Sequence, residues 1–305
     1  MRGMDARYLR LDLMAAWAIA KKDLKCYYAR PGAVMFGIMF PLFMFLSFIV
    51  GRNIPVKEAL PGLTSMVVMF SASSIGPFSI PIERRLKTFD RLLAAPISYH
   101  SILAGKILAG ALYGMAVGSV PVAVGVLVLG AGVAQPGLLV ASLSLSSACF
   151  AAMGVMFASF PTEYPGNVTI AMNFVRLPML FVSGVFIPLT RASLPMRLAS
   201  LISPLTYAND LAREAFGAGG VASPGANVAG LLGFTSLFVV LGAWLHDRLR
   251  EWAEAPRGPR RQATNAELRA GALQATPQSG FPKRGRGPLT AGKLAEDQAS
   301  DQSKR

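Results

Sequence analysis

The residue types that most often carry catalysis or bind metals are few and scattered in this sequence. The two histidines, His100 and His246, have neither a second metal ligand nor a nucleophile at a useful spacing. The two cysteines, Cys26 and Cys149, show neither disulfide nor metal-ligand spacing. We therefore expect no catalytic residue and no metal site, and we interpret these side chains as interfacial or packing residues.

One short segment near the C-terminus resembles a phosphate-binding loop. In the sequence GPLTAGKL, Gly287, Gly292 and Lys293 match the pattern GxxxxGK[ST], and only its last position differs. Leu294 stands where the loop needs a hydroxyl to hold Mg²⁺, and no strand precedes the loop to preorganise backbone amides around phosphate. We expect this chain to bind no nucleotide and no other cofactor.

Ionisable side chains are rare within the long apolar stretches of the chain. Arg176 stands out, with Lys106 near the start of one stretch and Glu163 just past the end of another. A charge in the middle of a membrane is costly and is usually functional. Arg176, with Asn173 nearby, could meet an anionic substrate headgroup or pair with a carbonyl or carboxylate of a neighbouring helix, and both interpretations stay open.

The segment 83–95, ERRLKTFDRLLAA, is amphipathic. Its apolar residues Leu86, Phe89 and Leu92 recur at helical spacing with charged residues between them, and Pro96 follows. A short helix of this kind either lies on a surface as a connector or lays its apolar ridge in a groove of a soluble partner. We favour the docking interpretation.

These residues must be positioned by a chain that is 53% hydrophobic and 15% charged. Its apolar residues are grouped in blocks of about 20, the length that crosses a hydrocarbon core of roughly 30 Å. The blocks lack the alternation of membrane strands, so helices are expected. We predict an all-α polytopic membrane protein with six transmembrane helices. The predicted spans are 31–50, 62–82, 102–130, 137–160, 167–188 and 226–246.

The distribution of Lys and Arg predicts the orientation of the chain. Seven basic residues precede the first block, whereas only Arg52 and Lys57 lie in the next loop. Basic residues return after the second and sixth blocks, and the loop 131–136 has no charge. The positive-inside rule then places both termini in the cytoplasm, for a multi-pass protein of the plasma (inner) membrane. We attribute the net charge of +14 to these basic cytoplasmic flanks, which lie next to the lipid bilayer, and not to nucleic-acid binding.

Three segments outside the blocks complete the predicted organisation. Residues 1–30 are expected to be cytoplasmic, with an amphipathic helix lying at the membrane interface and no cleaved signal peptide. Segment 189–225 is too polar and proline-broken to span, so we expect short helices that dip into or lie along the outer leaflet. Residues 247–305 contain few large apolar residues, and we expect a disordered basic cytoplasmic tail.

The third block contains a doubled GxxxG pattern. Gly110, Gly114 and Gly118 are spaced to lie on one face of a helix. Small residues at this spacing let another helix backbone approach closely in a membrane. We predict that they pack α-helices together.

Five segments resemble, in order, the ABC-2 type transporter permease family, the membrane-spanning subunits of bacterial and archaeal ABC exporters, and are similar to drug-export and nodulation-type permeases. Together they cover most of residues 16–246, and the C-terminal tail lies outside the resemblance. The segments are AIAKKDLKCYYAR at 18–30, ERRLKTFDRLLAAPIS at 83–98, AGK at 104–106, PMLFVSGVFIPLT at 178–190 and SPLTYANDLARE at 203–214.

The resemblance implies a non-catalytic transport subunit that forms a homodimer or heterodimer and binds cytoplasmic ABC ATPase subunits, which hold the ATP and Mg²⁺. It implies a six-helix transmembrane domain at 31–246 that exports an amphiphilic substrate such as a drug, a lipid or a glycolipid. Residues 5–28 resemble the family's connecting helix, 83–95 its coupling helix and 189–216 its external re-entrant helices.

The resemblance suggests that the second and fifth spans line the substrate path. Arg176 departs from it, because it is more polar than the family leads us to expect at that point, so either the substrate is anionic or amphiphilic, with Arg176 and Asn173 on its path, or the fifth span is misplaced. The residues matched to the coupling helix are Glu83, Arg84, Arg85, Thr88, Arg91 and Leu92.

Three other functions stay open. A secondary transporter or channel would work without an ATPase and would be favoured by facing carboxylates inside the membrane, which the sequence does not contain. A membrane-embedded enzyme acting on lipids would need Asp, His or Ser clustered near one membrane face, and here the carboxylates are scattered singly. A permease-like scaffold that senses rather than transports is the third.

Overall fold

The computed structural model describes residues 6–28, 31–49, 54–95, 97–160, 162, 164–187, 189 and 192–254. The regular elements in these ranges are helices, which confirms the all-α class. A short π-helical stretch, Leu24–Tyr28, follows the first helix. The α-helices are α1 (Ala6–Asp23), α2 (Pro31–Ile49), α3 (Val56–Ala72), α4 (Ile75–Arg85), α5 (Thr88–Leu93), α6 (Tyr99–Leu127), α7 (Pro136–Ala158), α8 (Pro165–Val182), α9 (Leu194–Ser200), α10 (Pro204–Ala215) and α11 (Pro224–Glu254).

Four helical stretches among the described residues are long and apolar enough to cross a membrane. They correspond to the predicted second, third, fourth and sixth spans. The helices α2 and α8 lie at the positions of the predicted first and fifth spans. Asn173 and Arg176 lower the mean hydropathy of α8, whereas α2 carries no charged residue along its length. The count of six spans stays a prediction. The four stretches are Val56–Arg85, Tyr99–Leu127, Pro136–Ala158 and Pro224–His246.

The second span is interrupted near its middle by Ser73 and Ser74, which separate α3 from α4 and which we call the α3–α4 break. Pro77 has no amide hydrogen to donate to the carbonyl of Ser73, so the helix is weakened at this point. Both serine hydroxyls donate back to carbonyls of the preceding turn. An unbroken span was predicted at 62–82, whereas the observed one is interrupted and runs over Val56–Arg85.

Residues 83–95 do not form the single helix that the sequence predicts. The helix α4 ends at Arg85, and α5 begins at Thr88. Lys87 lies between them with φ of 58°, a left-handed conformation that is uncommon for residues with a side chain. The hydroxyl of Thr88 donates to the carbonyl of Glu83 at 3.3 Å, which satisfies one carbonyl at the end of α4. The chain therefore turns at this point, and the two helices do not share one continuous face.

The helices α6 and α7 lie at the centre of the bundle, where α3 packs on both and α1, α10 and α11 pack around them. The three glycines of the predicted packing motif, Gly110, Gly114 and Gly118, lie at these contacts. A Cβ atom on Gly114 would be 2.5 Å from the Cβ of Ala72, and one on Gly110 would be 2.6 Å from the Cβ of Ala151. The helices are thus closer than a side chain at these positions would allow.

A second glycine contact brings the α3–α4 break directly onto α7. A Cβ atom on Gly154 would be 2.4 Å from the carbonyl oxygen of Ser73. One on Gly76 would be 2.5 Å from the backbone of Gly154. This close backbone contact was not predicted, because the two glycines lie on different spans without a recurring pattern.

The described helices define two ends of the bundle. At the first, which we call the α1 end, α1 and α5 meet the start of α6 and the ends of α4 and α7 around Phe89 and Ile102. At the opposite end, which we call the α10 end, the start of α3, the loop after α6 and the end of α10 meet around Leu60, Ala131 and Phe216.

The helix α1 lies against α6 and has apolar residues on two sides. Ala16, Ile19 and Ala20 are buried on its inner face, whereas Leu13 and Trp17 are exposed on its outer face. A helix was predicted for this region, and the structure contains one, with the π-helical stretch continuing it to Tyr28. Its position at a membrane surface stays a prediction.

The segment 189–225 contains two short helices, α9 and α10, as the sequence predicts. The helix α10 is buried rather than superficial: Leu205, Ala208 and Leu211 are each 0% exposed. It packs on α3, α7 and α11. The segment therefore closes the α10 end of the bundle.

The last helix continues beyond its predicted end. The sequence predicts a span that ends at residue 246 and disorder from residue 247, whereas α11 runs to Glu254. Residues 247–254 are rich in good helix formers such as Arg, Leu, Glu and Ala, which explains the extension. Residues 255–305 lie outside the described residues, and the predicted tail there stays a prediction.

Candidate functional site

The segment 83–95 presents a charged outer face at the α1 end. Arg85, Lys87, Asp90 and Arg91 are exposed, and Leu86 between them is 63% exposed. Thr88 is also exposed, whereas Leu92 is half-buried and Phe89 is buried beneath them. The segment thus combines an accessible face, which mixes basic residues with one large apolar side chain, and an inner side fixed to the bundle.

Glu83, the first of the predicted coupling residues, does not belong to that outer face. Its side chain is 1% exposed and lies between two lysines. Its carboxylate contacts Lys22, and its Oε2 lies 2.8 Å from the Nζ of Lys106. Glu83 can therefore act on the segment by holding its base, and not by direct contact at the surface of the chain.

Glu83 belongs to a group of four charges, three of them buried, that we call the ionic cluster: Lys22, Asp23, Glu83 and Lys106. The Nζ of Lys106 lies 3.1 Å from Asp23 Oδ2, and the Nζ of Lys22 lies 2.9 Å from Asp23 Oδ1. Lys106 also donates to the hydroxyl of Ser79 at 3.4 Å. The cluster joins α1, α4 and α6 at one point.

The four charges of the ionic cluster balance. Lys106 and Asp23 are each 0% exposed, and removing either partner of such a buried pair leaves an uncompensated charge, which costs about 3–5 kcal/mol. Lys22 is 40% exposed on its side chain and connects the cluster to solvent. Burial opposes its charge, but the carboxylates of Asp23 and Glu83 prevail and raise the pKa of Lys22 above its usual range.

Arg84 fastens the base of the same segment to α7. Its guanidinium donates to the carbonyl of Ala158 at 3.1 Å and to that of Phe160 at 2.5 Å, just past the end of the helix. A cation at this position satisfies carbonyls that have no partner within the helix and interacts favourably with the helix dipole. The guanidinium also lies 5.6 Å from the ring centre of Phe89. Arg84 was predicted as a coupling residue, and its described contacts are with the bundle.

Aromatic contacts join α5 to the start of α6 and to α11. The ring of Tyr99 stacks on that of His246 with centres 4.3 Å apart, and Phe89 meets His246 edge-on at 5.9 Å. At the same end, Asp12 of α1 accepts a hydrogen bond from the amide of Ser98 at 3.3 Å. Hydrogen bonds from Ser101 and Ser98 lower the pKa of the Asp12 carboxyl. The segment 83–95 is thus tied to four other helices of the bundle: α1, α6, α7 and α11.

Arg176 lies far from this end, in the middle of α8, and is 1% exposed. Its Nη2 donates to the hydroxyl of Ser73 at 2.5 Å, and its Nη1 donates to Asn173 Oδ1 at 3.4 Å. The guanidinium lies 5.3 Å from the ring centre of Phe70. The two predicted path residues therefore meet, and they face the α3–α4 break. Glu163, which the sequence places just past the end of the fourth predicted span, lies outside the described residues.

Sequence reasoning missed Lys22, Asp23 and Ser79. One signal was available for Asp23: with Ala16, Ile19 and Ala20 it completes a helical i, i+3, i+4, i+7 spacing on the buried face of α1. An acidic residue in line with an apolar face requires a buried cation as a partner. The identity of that partner, Lys106, was not accessible from local spacing.

No group of three or more His, Cys, Asp or Glu side chains in the described ranges could hold a metal ion. Of the two cysteines, Cys26 is exposed and Cys149 is buried, and both are free thiols. The chemistry available at the α1 end is thus ionic and mechanical: charges that hold helices together beneath an exposed basic surface.

Comparison with known proteins places the chain in a family. The model of the ABC-2 type transporter family matches residues 14–216. The inner membrane transport permease YadH of Escherichia coli (strain K12) is 25% identical over 148 residues, which are 48% of this chain and 57% of the relative. Proteins of the same name from Escherichia coli O157:H7 and Shigella flexneri match equally. The aligned part thus spans a little over half the length of these relatives. The family match over more than half of the chain shows that this protein belongs to the ABC-2 type transporter family, and four of its described helical stretches are long and apolar enough to cross a membrane.

Proposed function

We propose that this chain is the membrane-spanning permease subunit of an ATP-driven ABC exporter, and that its ATPase is a separate cytoplasmic polypeptide. The observation that carries the proposal is the segment 83–95, whose outer face is exposed and charged while its base is held by Glu83 and Arg84. In this proposal the α1 end faces the cytoplasm, both termini are cytoplasmic, and α2 and α8 complete six spans.

The contacts of the segment suggest how a push from an ATPase would spread. The helix α4 has 11 residues, so it is a rod of roughly 16 Å between Arg85 and the α3–α4 break. The ionic cluster ties the base of this rod to α1 and α6, and Arg84 ties it to the end of α7. A displacement of the outer face would therefore move several helices together rather than bend one loop.

The positive charge of the outer face favours a partner with an acidic surface. Arg85, Lys87 and Arg91 are exposed there against a single exposed carboxylate, that of Asp90. An ATPase groove that receives this face would present acidic residues around an apolar pocket for Leu86. ATP and Mg²⁺ would be bound by that partner.

Large exposed apolar faces support pairing with a second permease subunit, as a homodimer or heterodimer, within the lipid bilayer. On α8, Phe174 is 77% exposed and Ile170 is 59% exposed. On α11, Val240 is 65% exposed and Trp244 is 55% exposed. In the proposal these faces meet lipid or the second subunit, and an amphiphilic substrate such as a drug, a lipid or a glycolipid is exported along the shared interface.

Co-purification in detergent tests the proposal. The tagged permease is expressed with its candidate ATPase, and the wild type is compared with a variant that carries Arg85→Ala and Arg91→Ala. Both side chains are exposed, so the variant should fold. The control carries Lys57→Ala and Glu58→Ala, two exposed charges at the α10 end.

We expect the ATPase to accompany the wild type and the control, and to be lost or strongly reduced with the outer-face variant. Retention of the ATPase by the outer-face variant would contradict the docking site. A wild-type protein that transports without ever binding an ATPase would contradict the exporter function itself and favour a secondary transporter or channel.

A further inference from the structure

The two cations that are most deeply buried in the described part of the chain are neutralised very differently. Lys106 lies between two carboxylates, those of Asp23 and Glu83. Arg176 is 1% exposed, and none of the ion pairs between described residues includes it. Its charge is thus left without a countercharge from the described residues.

The groups around Arg176 are polar or aromatic but uncharged. The hydroxyl of Ser73 and the amide oxygen of Asn173 accept hydrogen bonds, and the ring of Phe70 faces the guanidinium. The Nε of Arg176 is buried and has no hydrogen-bond partner among the described residues. An uncompensated charge and an unused donor inside a membrane are unfavourable, and such residues usually mark the place where a ligand or ion binds.

We propose that Arg176 receives the anionic headgroup of an amphiphile at the α3–α4 break. A guanidinium offers a fork of N–H donors that fits the two oxygens of a carboxylate or phosphate, and the free Nε extends that fork. The anion takes the place of the Ser73 hydroxyl as the acceptor and supplies the missing negative charge. The identification of this amphiphile as the exported substrate rests on the proposed function, whereas binding to Arg176 does not.

Both walls of this site are helices with an interrupted hydrogen-bond ladder. On one side is the α3–α4 break, and on the other Pro178 lies in α8, two residues after Arg176, and cannot donate to the carbonyl of Phe174. Discontinuous helices near the middle of a membrane provide backbone groups and freedom to move, and they commonly form binding sites. The break in α3–α4 and the proline in α8 therefore let the two walls separate without unfolding either helix.

The apolar residues around the guanidinium indicate why the ligand should be an amphiphile. Phe70, Met172 and Leu180 belong to one hydrophobic cluster, and Met172 and Leu180 lie on the same side of α8 as Arg176. The exposed side chains of Ile170, Phe174 and Phe181 lie on the opposite, outer side of α8. An alkyl chain can pack among the inner apolar side chains while its charged headgroup reaches the guanidinium, and a small hydrophilic anion would gain nothing from them.

Binding of a matched pair of fluorescent probes to the purified full-length permease, without any ATPase, tests the site. The probes are dansyl-undecanoic acid, at a pH that keeps the acid ionised, and its methyl ester, which has the same chain and fluorophore without the charge. We expect the wild type to bind the acid at least about tenfold more tightly than the ester, as one charge-assisted hydrogen bond would give. Arg176→Gln should abolish this preference, and Arg176→Lys, which keeps the charge but loses the fork of donors, should keep only part of it.

Two further variants separate the role of Arg176 from a general effect on folding. Ser73→Ala removes the hydroxyl that holds the guanidinium but keeps the charge, so the affinity for the acid should be unchanged or higher. Lys57→Gln removes an exposed cation at the α10 end and should leave the preference intact. Equal binding of acid and ester by the wild type, or a preference that persists in Arg176→Gln, would overturn the proposal.

The same probes address the proposed function separately. With the ATPase bound, the acid should raise the rate of ATP hydrolysis more than the ester does, and Arg176→Gln should remove the difference. Arg176-dependent binding of the acid without any effect on hydrolysis would support the site as one for a resident anionic lipid. That result would contradict only its use in export.

Discussion

The carboxylate of Glu83 joins α4 to both lysines of the ionic cluster, so its neutralisation tests the cluster directly. Glu83→Gln keeps the shape of the side chain and removes one of two negative charges, so that Lys22 and Lys106 share Asp23. Breaking a buried pair costs about 3–5 kcal/mol. Because Asp23 still lies 3.1 Å from Lys106, we expect a loss in the free energy of unfolding near the lower limit, about 3 kcal/mol.

The two lysines of the cluster provide an internal comparison. Lys106→Met removes a cation that is 0% exposed and should cost a similar amount, about 3 kcal/mol. Lys22 is 40% exposed, so water can replace part of what it contributes, and Lys22→Met should cost about 1 kcal/mol or less. Glu83→Gln combined with Lys106→Met leaves Lys22 paired with Asp23. The double variant should therefore lose less than the sum of the single variants, by at least about 1 kcal/mol.

Thermal unfolding of all variants in the same detergent, followed by tryptophan fluorescence, ranks their losses of stability. The control is Lys57→Met, which removes an exposed cation at the α10 end and should leave the midpoint near that of the wild type. Equal losses for Lys22→Met and Lys106→Met would refute the reasoning from burial. Simple additivity of Glu83→Gln and Lys106→Met would show that the two charges do not act as a pair.

Three other predictions follow from particular contacts. Gly154→Ala should lower the thermal midpoint strongly, because its Cβ would lie 2.4 Å from a backbone carbonyl of the α3–α4 break, whereas Gly132→Ala points into open space and should change little. Arg84→Met should cost about 1–3 kcal/mol of stability, since it removes charge-assisted hydrogen bonds to carbonyls at the end of α7, and a loss no larger than that of an exposed cation would contradict this role. A membrane-impermeant maleimide should label Cys26, which is exposed, in inside-out vesicles only, and should not label the buried Cys149 in either orientation; labelling of Cys26 in intact cells would contradict a cytoplasmic α1 end.

The class of the fold could be predicted from the sequence because apolar blocks of about 20 residues allow few alternatives in a membrane. The packing positions of Gly110 and Gly114 could also be predicted, because the spacing of small residues within one helix is a local feature of the sequence. The interruption at Ser73 could not be located, because prolines within apolar spans are tolerated when neighbouring helices satisfy the freed carbonyls. The hydropathy profile of a span does not reveal which of its prolines interrupts the helix.

The residues at the α1 end show where local reasoning stops. The match of 83–95 to a single coupling helix made Glu83 and Arg91 coupling candidates together, but the left-handed conformation of Lys87 separates α4 from α5 and changes their relative direction. The partner of Glu83 at Lys106 lies on another span, and ion pairs between distant segments depend on the tertiary structure. The exposed positions Arg85 and Arg91 keep the outer-face role that the sequence predicts, and this role stays a prediction.

Photo-crosslinking from the outer face of the segment 83–95 tests the central claim most directly. A photoreactive benzoylphenylalanine is placed at Leu86, which is 63% exposed. As a control it is placed at Leu127, the last residue of α6, which is 82% exposed. The complete transporter is then irradiated in membranes. The account predicts that Leu86 yields a covalent adduct with a cytoplasmic ATPase and that Leu127 does not. An adduct with the ATPase from Leu127, or none from Leu86 in a complex that hydrolyses ATP, would contradict it.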